Sequence, residues 1–424
     1  MGVKLGHKQC EVGIIPRDWK MMPLGEFAQF RNGLNFVKSD KGDIVKVVGV
    51  GDFRSDFSVT EDRLDSVQIA GSLGSDDVLK NDDLLFVRSN GNKALIGRCV
   101  LIRGFRQPVG FSGFTIRGRV SRTVANPEYV GRYFHSQPAR RQIKEAGEGS
   151  HISNLSQQVL ASLKIPLPTL AEQKAIATAL SDADDLIESL EKLIAKKRKI
   201  KQGTMQELLT GRKRLPGFSG KWETFRFDQL FTVLRNASHS RSELASDGEV
   251  AYVHYGDIHT HPTAFLNPAT LQAFLPRTKV RAIQRLMDGD LLMVDASEDT
   301  TAIGKAVEIV GLDGREAIAG LHTLALRGSK ECLTNGFKGY LQFMPTVRAA
   351  LVRLATGVSV YGITKSGVKT VEVTIPKRAE QSAIAAILSD MDGEIAALEA
   401  KLSKSRLIKQ GMMQELLTGR IRLV

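Results

Sequence analysis

The sequence predicts an α+β protein: two mixed α/β domains separated by two long antiparallel coiled-coil helices, pseudo-two-fold and circularly arranged. Residues 168–215 recur as residues 376–423, displaced by 208 positions, with 30 of 48 positions identical. The segments before the two copies are also alike in plan. Repetition at so long a period indicates a duplicated module rather than a solenoid, whose units span about 20 to 50 residues.

Each repeated segment is predicted to form a long helix, because its apolar residues alternate four and three apart, as in a coiled-coil seam. In the first copy they are Ile176, Leu180, Ala183, Ile187, Leu190 and Ile194, and in the second Ile384, Leu388, Met391, Ile395, Leu398 and Leu402. The heptad lapses at Lys197 and Ser405. We expect the apolar face to resume at Ile200, Met205 and Leu208 and at Ile408, Met413 and Leu416, after a stutter or kink near Gly203 and Gly411. Gly211 and Gly419 are placed to end the helices.

Polar positions are repeated as well, which a helix packed only on its own core would not require. We therefore expect two equivalent partner-binding surfaces, since an antiparallel pair of helices presents the same face twice. The residues predicted to form them are Glu172, Gln173, Gln206 and Glu207, with Glu380, Gln381, Gln414 and Glu415.

The segments between the helices align at offsets of 203 to 208. Residues 47–53 match 252–258, residues 83–87 match 290–294, and the two tryptophans, Trp19 and Trp222, stand near the two starts. Short β-branched and apolar runs divided by Gly, Asp and Asn predict strands and turns. One helix is expected near residues 129–146, with a counterpart near 339–355. The predicted domain bounds are 1–167, 168–215, 216–375 and 376–424, and we expect the chain ends to lie close together.

The charge balance favours an anionic partner. The net charge is +13 and the pI about 9.6, which favours nucleic acid over an anionic membrane surface. The sequence has no apolar run of 18 residues and no apolar signal core at residues 1–9, so we expect a cytoplasmic protein. Cys10, Cys99 and Cys332 are dispersed and odd in number, which fits reduced thiols better than disulfides or a zinc site.

Four motifs occur in a fixed order around the first long helix: Gly149-Ser-His-Ile-Ser-Asn-Leu-Ser156, Ile165-Pro-Leu-Pro168, Ala171-Glu172-Gln173 and Gln206-Glu-Leu-Leu-Thr-Gly-Arg212. With the order of variable domain and repeated helix, this set resembles the specificity subunit of type I restriction-modification systems. The resemblance covers nearly the whole chain. The second half departs from it, with Gly357-Val-Ser-Val-Tyr-Gly-Ile-Thr364 as its loop and Ile375-Pro-Lys-Arg378 as its helix entry.

The resemblance implies a non-catalytic subunit whose two target recognition domains each read one half of a bipartite, asymmetric sequence in double-stranded DNA. It also implies that the helices set the spacing and dock two methyltransferase subunits, with translocase-nuclease subunits completing the restriction enzyme. S-adenosylmethionine, ATP and Mg would then be held only by those partner subunits.

The residues themselves point away from catalysis. No P-loop run and no adenine-methyltransferase Asn/Asp-Pro-Pro-aromatic motif occurs. Asp82 and Asp83, or Asp290 with Asp295 and Glu298, have the composition of nuclease carboxylates but lack a suitably placed Lys in both halves. His254, His259 and His261 form the densest histidine group, for which we favour polar loop residues in DNA contact over a metal site.

Base reading needs directional hydrogen bonds, such as Arg to guanine, Asn to adenine and a carboxylate to cytosine. The predicted readers in the first domain are the loop residues Arg88, Ser89, Asn90, Asn92 and Lys93, with His151 and Asn154. Those in the second are Asp295, Ser297, Glu298, Thr300 and Thr301, with Tyr255, His259, His261 and Tyr361. Arg54, Arg277, Lys279 and Arg281 are expected to contact phosphate. Any of these loops could instead be ordinary solvated surface.

A second hypothesis is a coiled-coil adaptor whose two domains bind proteins. Such a protein would lack a salt-sensitive affinity for DNA.

Overall fold

The computed structural model describes residues 6–35, 42–53, 57–146, 154–300 and 302–423. The chain forms two compact units. Unit 1 is Met1–Leu190 with Lys401–Val424, and unit 2 is Glu191–Ala400. Each unit holds one of the predicted mixed domains and part of each long helix. Among the described residues, no helix is long and apolar enough to cross a membrane.

Unit 1 is built from two sheets and two strand pairs. Its strands are β1 (His7–Cys10), β2 (Gly13–Pro16), β3 (Lys20–Pro23), β4 (Ala28–Asn32), β5 (Ile44–Val48), β6 (Ser58–Val59), β7 (Ser66–Gln68), β8 (Leu84–Val87), β9 (Cys99–Ile102), β10 (Val109–Phe111), β11 (Thr115–Val120) and β12 (Lys164–Leu167). The five-stranded sheet has the order β4-β11-β8-β9-β6, the three-stranded sheet β10-β5-β7, and β1-β2 and β12-β3 form pairs. The helices are α1 (Pro127–Tyr133), α2 (Gln137–Glu145), α3 (Gln157–Ser162) and α4 (Leu170–Leu208), the last of which continues into unit 2.

Unit 2 repeats this plan. Its strands are β13 (Glu223–Arg226), β14 (Phe231–Leu234), β15 (Val250–Val253), β16 (Phe265–Leu266), β17 (Phe274–Leu275), β18 (Leu291–Val294), β19 (Ala296–Ser297), β20 (Ala306–Ile309), β21 (Glu316–Ala319), β22 (Thr323–Gly328), β23 (Tyr361–Gly362) and β24 (Glu372–Ile375). The sheets have the orders β14-β22-β18-β20-β16 and β17-β15-β21, with β13-β24 and β19-β23 as pairs. The helices are α5 (Phe227–Leu230), α6 (Tyr255–Thr260), α7 (Pro345–Leu354), α8 (Lys365–Lys369) and α9 (Arg378–Leu416), which runs on into unit 1.

The central strand of each five-stranded sheet is apolar on both faces. In β8, Leu84 and Phe86 join the core that contains α1, whereas Leu85 and Val87 join the core beneath the three-stranded sheet. The four residues of β18 divide between two cores in the same way. A strand covered on both faces needs a continuous apolar run, which explains why these runs do not alternate with polar residues.

A buried carboxylate anchors the start of each central strand. Asp83 is 1% exposed and accepts bonds of 2.7 and 2.8 Å from Arg119. Asp290 is 2% exposed and accepts bonds of 2.9 and 2.7 Å from Arg327. These aspartates therefore neutralise arginines within the sheet, which explains them without a nuclease site.

The long helices pair through apolar seams within each unit, and the predicted seam is confirmed. In unit 1, Ile176 and Leu180 share a core with Leu416 and Leu417. In unit 2, Leu208 shares a core with the α9 seam residues near Leu388. Arg198 pairs with Glu399 and Lys201 with Asp392, so residue numbers rise along α4 as they fall along α9. The pairing within unit 2 is therefore antiparallel.

Of the residues predicted to resume the apolar face, Leu208 and Leu416 are buried and Met205 and Met413 partly buried, as expected. The prediction is wrong for Ile200 and Ile408, whose side chains are 45% and 52% exposed. The seam instead continues through Lys201 and Lys409, whose ammonium groups pair with Asp392 in unit 2 and Asp184 in unit 1. Long lysine stems can cover apolar surface while the charged end pairs. Both helices remain helical through Gly203 and Gly411, near which a stutter or kink was predicted. Gly211 and Gly419, with φ of 68° and 70°, follow the helix ends as predicted.

The single helix expected over residues 129–146 is two helices. Ser136 caps α2 by accepting a bond from the Ala139 N–H, and Pro138 lies in the first turn, so a new helix starts there. Its counterpart in unit 2 is a 3₁₀ turn, Lys338–Phe343, followed by α7, which starts at Pro345. The described segments near the two chain ends lie close together as expected, since Arg422 pairs with Asp18 at 3.0 Å within unit 1.

A buried ion pair in unit 2 provides a test of this packing. Glu308 is fully buried and accepts from the Gly336 and Gly339 N–H groups, and the Lys338 ammonium lies 3.3 Å away, 3% exposed. We expect Lys338→Met to lower the free energy of unfolding of unit 2 by about 3–5 kcal/mol, because it leaves a buried carboxylate unpaired. Urea denaturation followed by circular dichroism measures this loss.

Burial raises the pKa of Glu308, and the variant should raise it further. A carboxyl whose pKa is raised in the folded state contributes stability while it is protonated, and this contribution is lost as pH rises. The destabilisation caused by Lys338→Met should therefore be smaller at about pH 5 than at about pH 8. The exposed Lys330 is the matched control, for which Met should cost less than about 0.5 kcal/mol. Equal losses in the two variants would contradict this account.

Candidate nucleic-acid interface

Each unit presents loops where its central strand ends, and we call this place the loop edge. In unit 1, β8 ends at Val87, which pairs with Thr115 at the start of β11. In unit 2, β18 ends at Val294, which pairs with Thr323 at the start of β22. The next residue donates its backbone N–H across the edge in both units, from Arg88 to Phe114 at 2.8 Å and from Asp295 to His322 at 3.3 Å. The two edges therefore share one backbone frame.

The unit 1 edge brings several predicted readers together. The Arg88 Nε donates to the Asn154 side chain at 3.0 Å, and its Nη1 lies 3.4 Å from the Gly113 carbonyl. Asn90 and Asn92 accept backbone N–H groups within the loop at 2.8 and 3.0 Å, which fixes their side chains. Ser89 is half-buried and Lys93 exposed in the same loop. Two further predicted contacts, Arg54 and His151, lie outside the described residues.

The unit 2 edge is partly strand rather than the predicted loop. Ala296–Ser297 pairs with Tyr361–Gly362, which brings Tyr361 beside Ser297. Ser297 is 7% exposed and its hydroxyl accepts the Asp299 N–H, so strand pairing removes it from the accessible surface. The Thr300 carbonyl accepts from Arg348 at 2.7 Å, whereas Glu298 is exposed. Thr301 lies outside the described residues.

Aromatic and histidine rings gather at the unit 2 edge. The Tyr255 ring lies 4.3 Å from His254, 5.9 Å from His259 and 5.7 Å from His322, between ring centroids. Asp295 lies 3.3 Å from the His322 Nδ1. Burial lowers the pKa of His254, which favours the neutral ring whose Nδ1 accepts the Gly256 N–H. The rings of Tyr255, His259 and His322 border an open groove that Glu298 also lines.

His261 stands slightly apart from this group. Its side chain contacts Thr263, and Lys305 donates to the carbonyls of His259 and His261 at 2.7 and 2.8 Å. In the described part of the chain, no group of three or more His, Cys, Asp or Glu is positioned to hold a metal. The two histidines are thus held by the lysine through their backbone, at the end of α6.

The predicted phosphate contacts of unit 2 lie away from its loop edge. Arg277 pairs with Glu249 at 3.6 Å and with Glu316 at 3.2 Å, beside the first residue of β15, whereas the ring cluster follows its last residue. Lys279 and Arg281 follow Arg277 and are exposed. The structure does not bring these three cations together with the base-reading candidates.

Four of the predicted partner-binding residues are wrong as surface residues. Glu172, Gln173, Glu380 and Gln381 are each 2% exposed or less. The glutamates are buried because arginines pair with them: Arg422 with Glu172 at 2.5 and 2.7 Å, and Arg214 with Glu380 at 2.6 Å twice.

The two glutamines link the helix starts to the mixed domains. Gln173 accepts the Asn126 N–H at 2.8 Å and donates to Pro168, and Gln381 accepts the Thr334 N–H and donates to Pro376. By contrast, Gln206, Glu207 and Gln414 are exposed and Glu415 is partly exposed. Of the eight predicted partner-binding residues, only these four have the exposure that a docking surface needs.

Sequence reasoning missed three exposed side chains at the loop edges. Phe114 is 59% exposed in unit 1, and Val358 and Val360 are 91% and 55% exposed in the hairpin before Tyr361. It also missed His322. The offset of 208 that aligns Thr115 with Thr323 pairs Phe114 with His322, so the alignment of the halves contained a signal for both.

The buried glutamate clusters give a direct test. Arg214→Ala should lower the stability of unit 2 by about 3–5 kcal/mol, because it leaves Glu380 buried and unpaired. The exposed Arg212, two residues away, is the matched control and should change stability by less than about 0.5 kcal/mol. Urea denaturation measures both, and an unchanged stability of the Arg214 variant would restore Glu380 to the candidate docking residues.

Comparison with known proteins agrees with this architecture. Residues 16–201 match the family described as the type I restriction modification DNA specificity domain. A putative type I restriction enzyme MjaX specificity subunit of Methanocaldococcus jannaschii is 25% identical over 439 residues, covering 98% of this chain and 96% of the relative. The EcoKI specificity subunit of Escherichia coli is 20% identical, covering 97% and 90%.

Solved structures share the fold. The HsdS subunit from Thermoanaerobacter tengcongensis superposes with a TM-score of 0.51 at 18% identity, covering 96% of this chain and 98% of that one. The S subunit from M. genitalium gives 0.57 at 14% identity, covering 94% and 96%. The hypothesis of a protein-binding adaptor finds no support among these relatives. Residues 16–201 therefore match the type I restriction modification DNA specificity domain, and nearly the whole chain is similar to specificity subunits of type I restriction enzymes.

Proposed function

We propose that the two loop edges read the two halves of a bipartite DNA target, within a type I complex for which this chain is the non-catalytic recognition subunit. The observation that carries the proposal is the pair Arg88 and Asp295. They follow equivalent strands and donate equivalent backbone bonds, yet one side chain is a cation and the other an anion. An arginine suits guanine O6 and N7, and a carboxylate accepts from cytosine N4.

The surroundings of each residue support its role. The Arg88 guanidinium is oriented by the Asn154 amide and the Gly113 carbonyl. In unit 2, Asp295 and the exposed Glu298 lie at one edge with Tyr255 and His322. Carboxylates would repel phosphate, so acidic groups at a DNA surface are better suited to base edges than to the backbone. We assign Asn90, Asn92 and Lys93 to the first half-site, and His259 and Tyr361 to the second.

Phosphate contacts would position the subunit without specifying sequence. The net charge of +13 favours them. Lys279 and Arg281 are exposed and, like Arg277, suit the backbone beyond the loop edge.

The repeated exposed positions suit two copies of one partner. Gln206 and Glu207 recur as Gln414 and Glu415, and the exposed Ile200 recurs as the exposed Ile408 on the same two helices. We infer that two methyltransferase subunits dock there and that translocase-nuclease subunits join the complex through them. S-adenosylmethionine, ATP and Mg would be bound by those subunits. One solved structure aligns with this chain over 99% of the solved chain's length. That structure concerns the assembly and conformational transition of a type I restriction-modification system.

The first test is co-expression with the cognate methyltransferase subunit, followed by single-molecule sequencing for N6-methyladenine. We expect a split motif with a fixed unspecified gap. Replacing residues 222–375 by the same segment of a relative should change one half of the motif, and replacing residues 19–167 should change the other. A stable complex that methylates no defined motif would contradict DNA recognition, and a change in both halves after one replacement would contradict the assignment of one half to each unit.

The second test separates the two edges. Arg88→Ala should cost about 1–3 kcal/mol of discrimination at one guanine of the first half-site, because the bidentate contact is lost. Asp295→Ala should relax one position of the second half-site only. Competition binding with single-base variants, at stated salt concentration, measures both.

Arg106 is the matched control for Arg88. It is exposed and follows β9, whose last residue lies at the opposite end of the sheet from the unit 1 loop edge. Arg106→Ala should leave discrimination unchanged. A uniform loss over all sequences for Arg88→Ala would make it a phosphate contact.

A further inference from the structure

We propose that residues 114 and 322 form a second reading position at the loop edges, and that Phe114 contacts the 5-methyl group of a thymine in the major groove. This inference rests on the proposed function and adds to it one residue in each half-site and the class of base that the first would read.

The backbone around the two residues is the same. The carbonyls of Phe114 and His322 each accept the N–H of the residue that follows the central strand, and each residue precedes a buried threonine. The Thr115 hydroxyl donates to Ser112 at 2.6 Å, and the Thr323 hydroxyl donates to Gly320 at 2.6 Å. Equivalent frames with different side chains are what two readers of different sequences require.

The frame holds Phe114 in place while its side chain stays exposed. Its carbonyl accepts from Arg88 at 2.8 Å and from Ser89 at 3.4 Å, and its N–H donates to the Ser112 hydroxyl at 3.3 Å. A single exposed apolar side chain is common on protein surfaces and by itself indicates nothing. Phe114 differs because it lies directly beside Arg88, on a backbone bonded from both sides. A rigid aromatic ring also loses little conformational entropy on binding.

The equivalent residue in unit 2, His322, has an unfavourable backbone conformation. Its φ of 56° lies in the left-handed region, which few non-glycine residues adopt. The ring contacts Tyr255 and the Asp295 carboxylate, which keep it in this conformation. A ring with hydrogen-bonding nitrogens replaces an apolar ring, so the two positions would read different base edges.

The choice of thymine follows from chemistry. The Phe ring has no hydrogen-bonding group, and in the major groove thymine is the base that presents a methyl group, a known partner of Phe. Because Arg88 suits guanine and lies beside Phe114, we expect neighbouring guanine and thymine positions in the first half-site.

The test uses the complex of this chain with its methyltransferase subunits, and DNA duplexes that contain the motif identified by N6-methyladenine sequencing. Each thymine of the first half-site is replaced in turn by deoxyuridine, which removes only the methyl group. One replacement should weaken binding of the unchanged protein by about fourfold, the ratio that burial of one methyl group gives. Phe114→Ala should weaken binding of the original duplex by at least as much, and that replacement should then have no further effect. Phe114→Leu should restore part of the sensitivity.

Ile44→Ala is the matched control. Ile44 is 73% exposed and starts β5, whereas the last residue of β5 adjoins the unit 1 edge, so this variant should keep the deoxyuridine effect. In unit 2, His322→Asn retains a residue that tolerates the left-handed region and should alter only the second half-site.

Several results would overturn the inference while leaving the proposed function intact. The first is a first half-site that contains no thymine. The second is a deoxyuridine effect of the same size in Phe114→Ala as in the unchanged protein. The third is a His322→Asn variant that alters recognition of the first half-site, or alters recognition of neither half-site. If the unchanged complex methylates no bipartite motif, the proposed function itself fails.

Discussion

The rest of the structure depends on a charge cluster that closes each unit, in which an arginine beyond the end of one long helix binds a buried glutamate at the start of the other. In unit 1 the pair is Arg422 and Glu172, and in unit 2 it is Arg214 and Glu380. Each guanidinium also lies 5.8 Å from a tryptophan ring, Trp19 or Trp222. Buried charges are tolerated only when paired in this way, so the cluster fixes which helix end can meet which helix start.

The residue after each glutamate extends the cluster into the mixed domain. The Gln173 and Gln381 amides bond to the backbone ahead of α1 and of the 3₁₀ turn before α7, and to the chain just before their own helices. The Ala-Glu-Gln motif therefore joins three parts of each unit. Its presence in both copies needs no external partner, because each copy performs the same internal task.

The sequence predicted the repeated parts of the fold well because periodicity carries that information. The seam from Ile176 to Ile194, the terminating glycines and the equivalence of β8 with β18 all follow from apolar spacing or from the offsets of 203 to 208 residues between the halves. It failed where tertiary contacts decide burial. Lys201 occupies a seam position that a hydrophobic pattern cannot detect, and Glu172 is buried only because Arg422, 250 residues away, pairs with it.

The candidate interface was predictable in composition but not in detail. The loops after β8 and β18 could be located, because a buried run followed by polar residues marks the end of a strand. Which of their side chains remain accessible could not, since the pairing of β19 with β23 buries Ser297, and the partners of Arg277 lie far away in sequence. Such contacts become visible only in three dimensions.

Under the proposed function, the arrangement would let one fold serve two different half-sites. The groups that define each edge are backbone bonds and buried residues such as Thr115 and Thr323, which both units retain. The side chains of Arg88, Asp295, Phe114 and His322 are exposed or half-buried, and substitutions at such positions usually change stability by less than about 0.5 kcal/mol. The pairs Arg88 and Asp295, and Phe114 and His322, can therefore differ in charge and polarity without disturbing the sheets that carry them. The edge side chains can therefore be substituted with little effect on stability, because the backbone bonds and buried residues beneath them stabilise each unit.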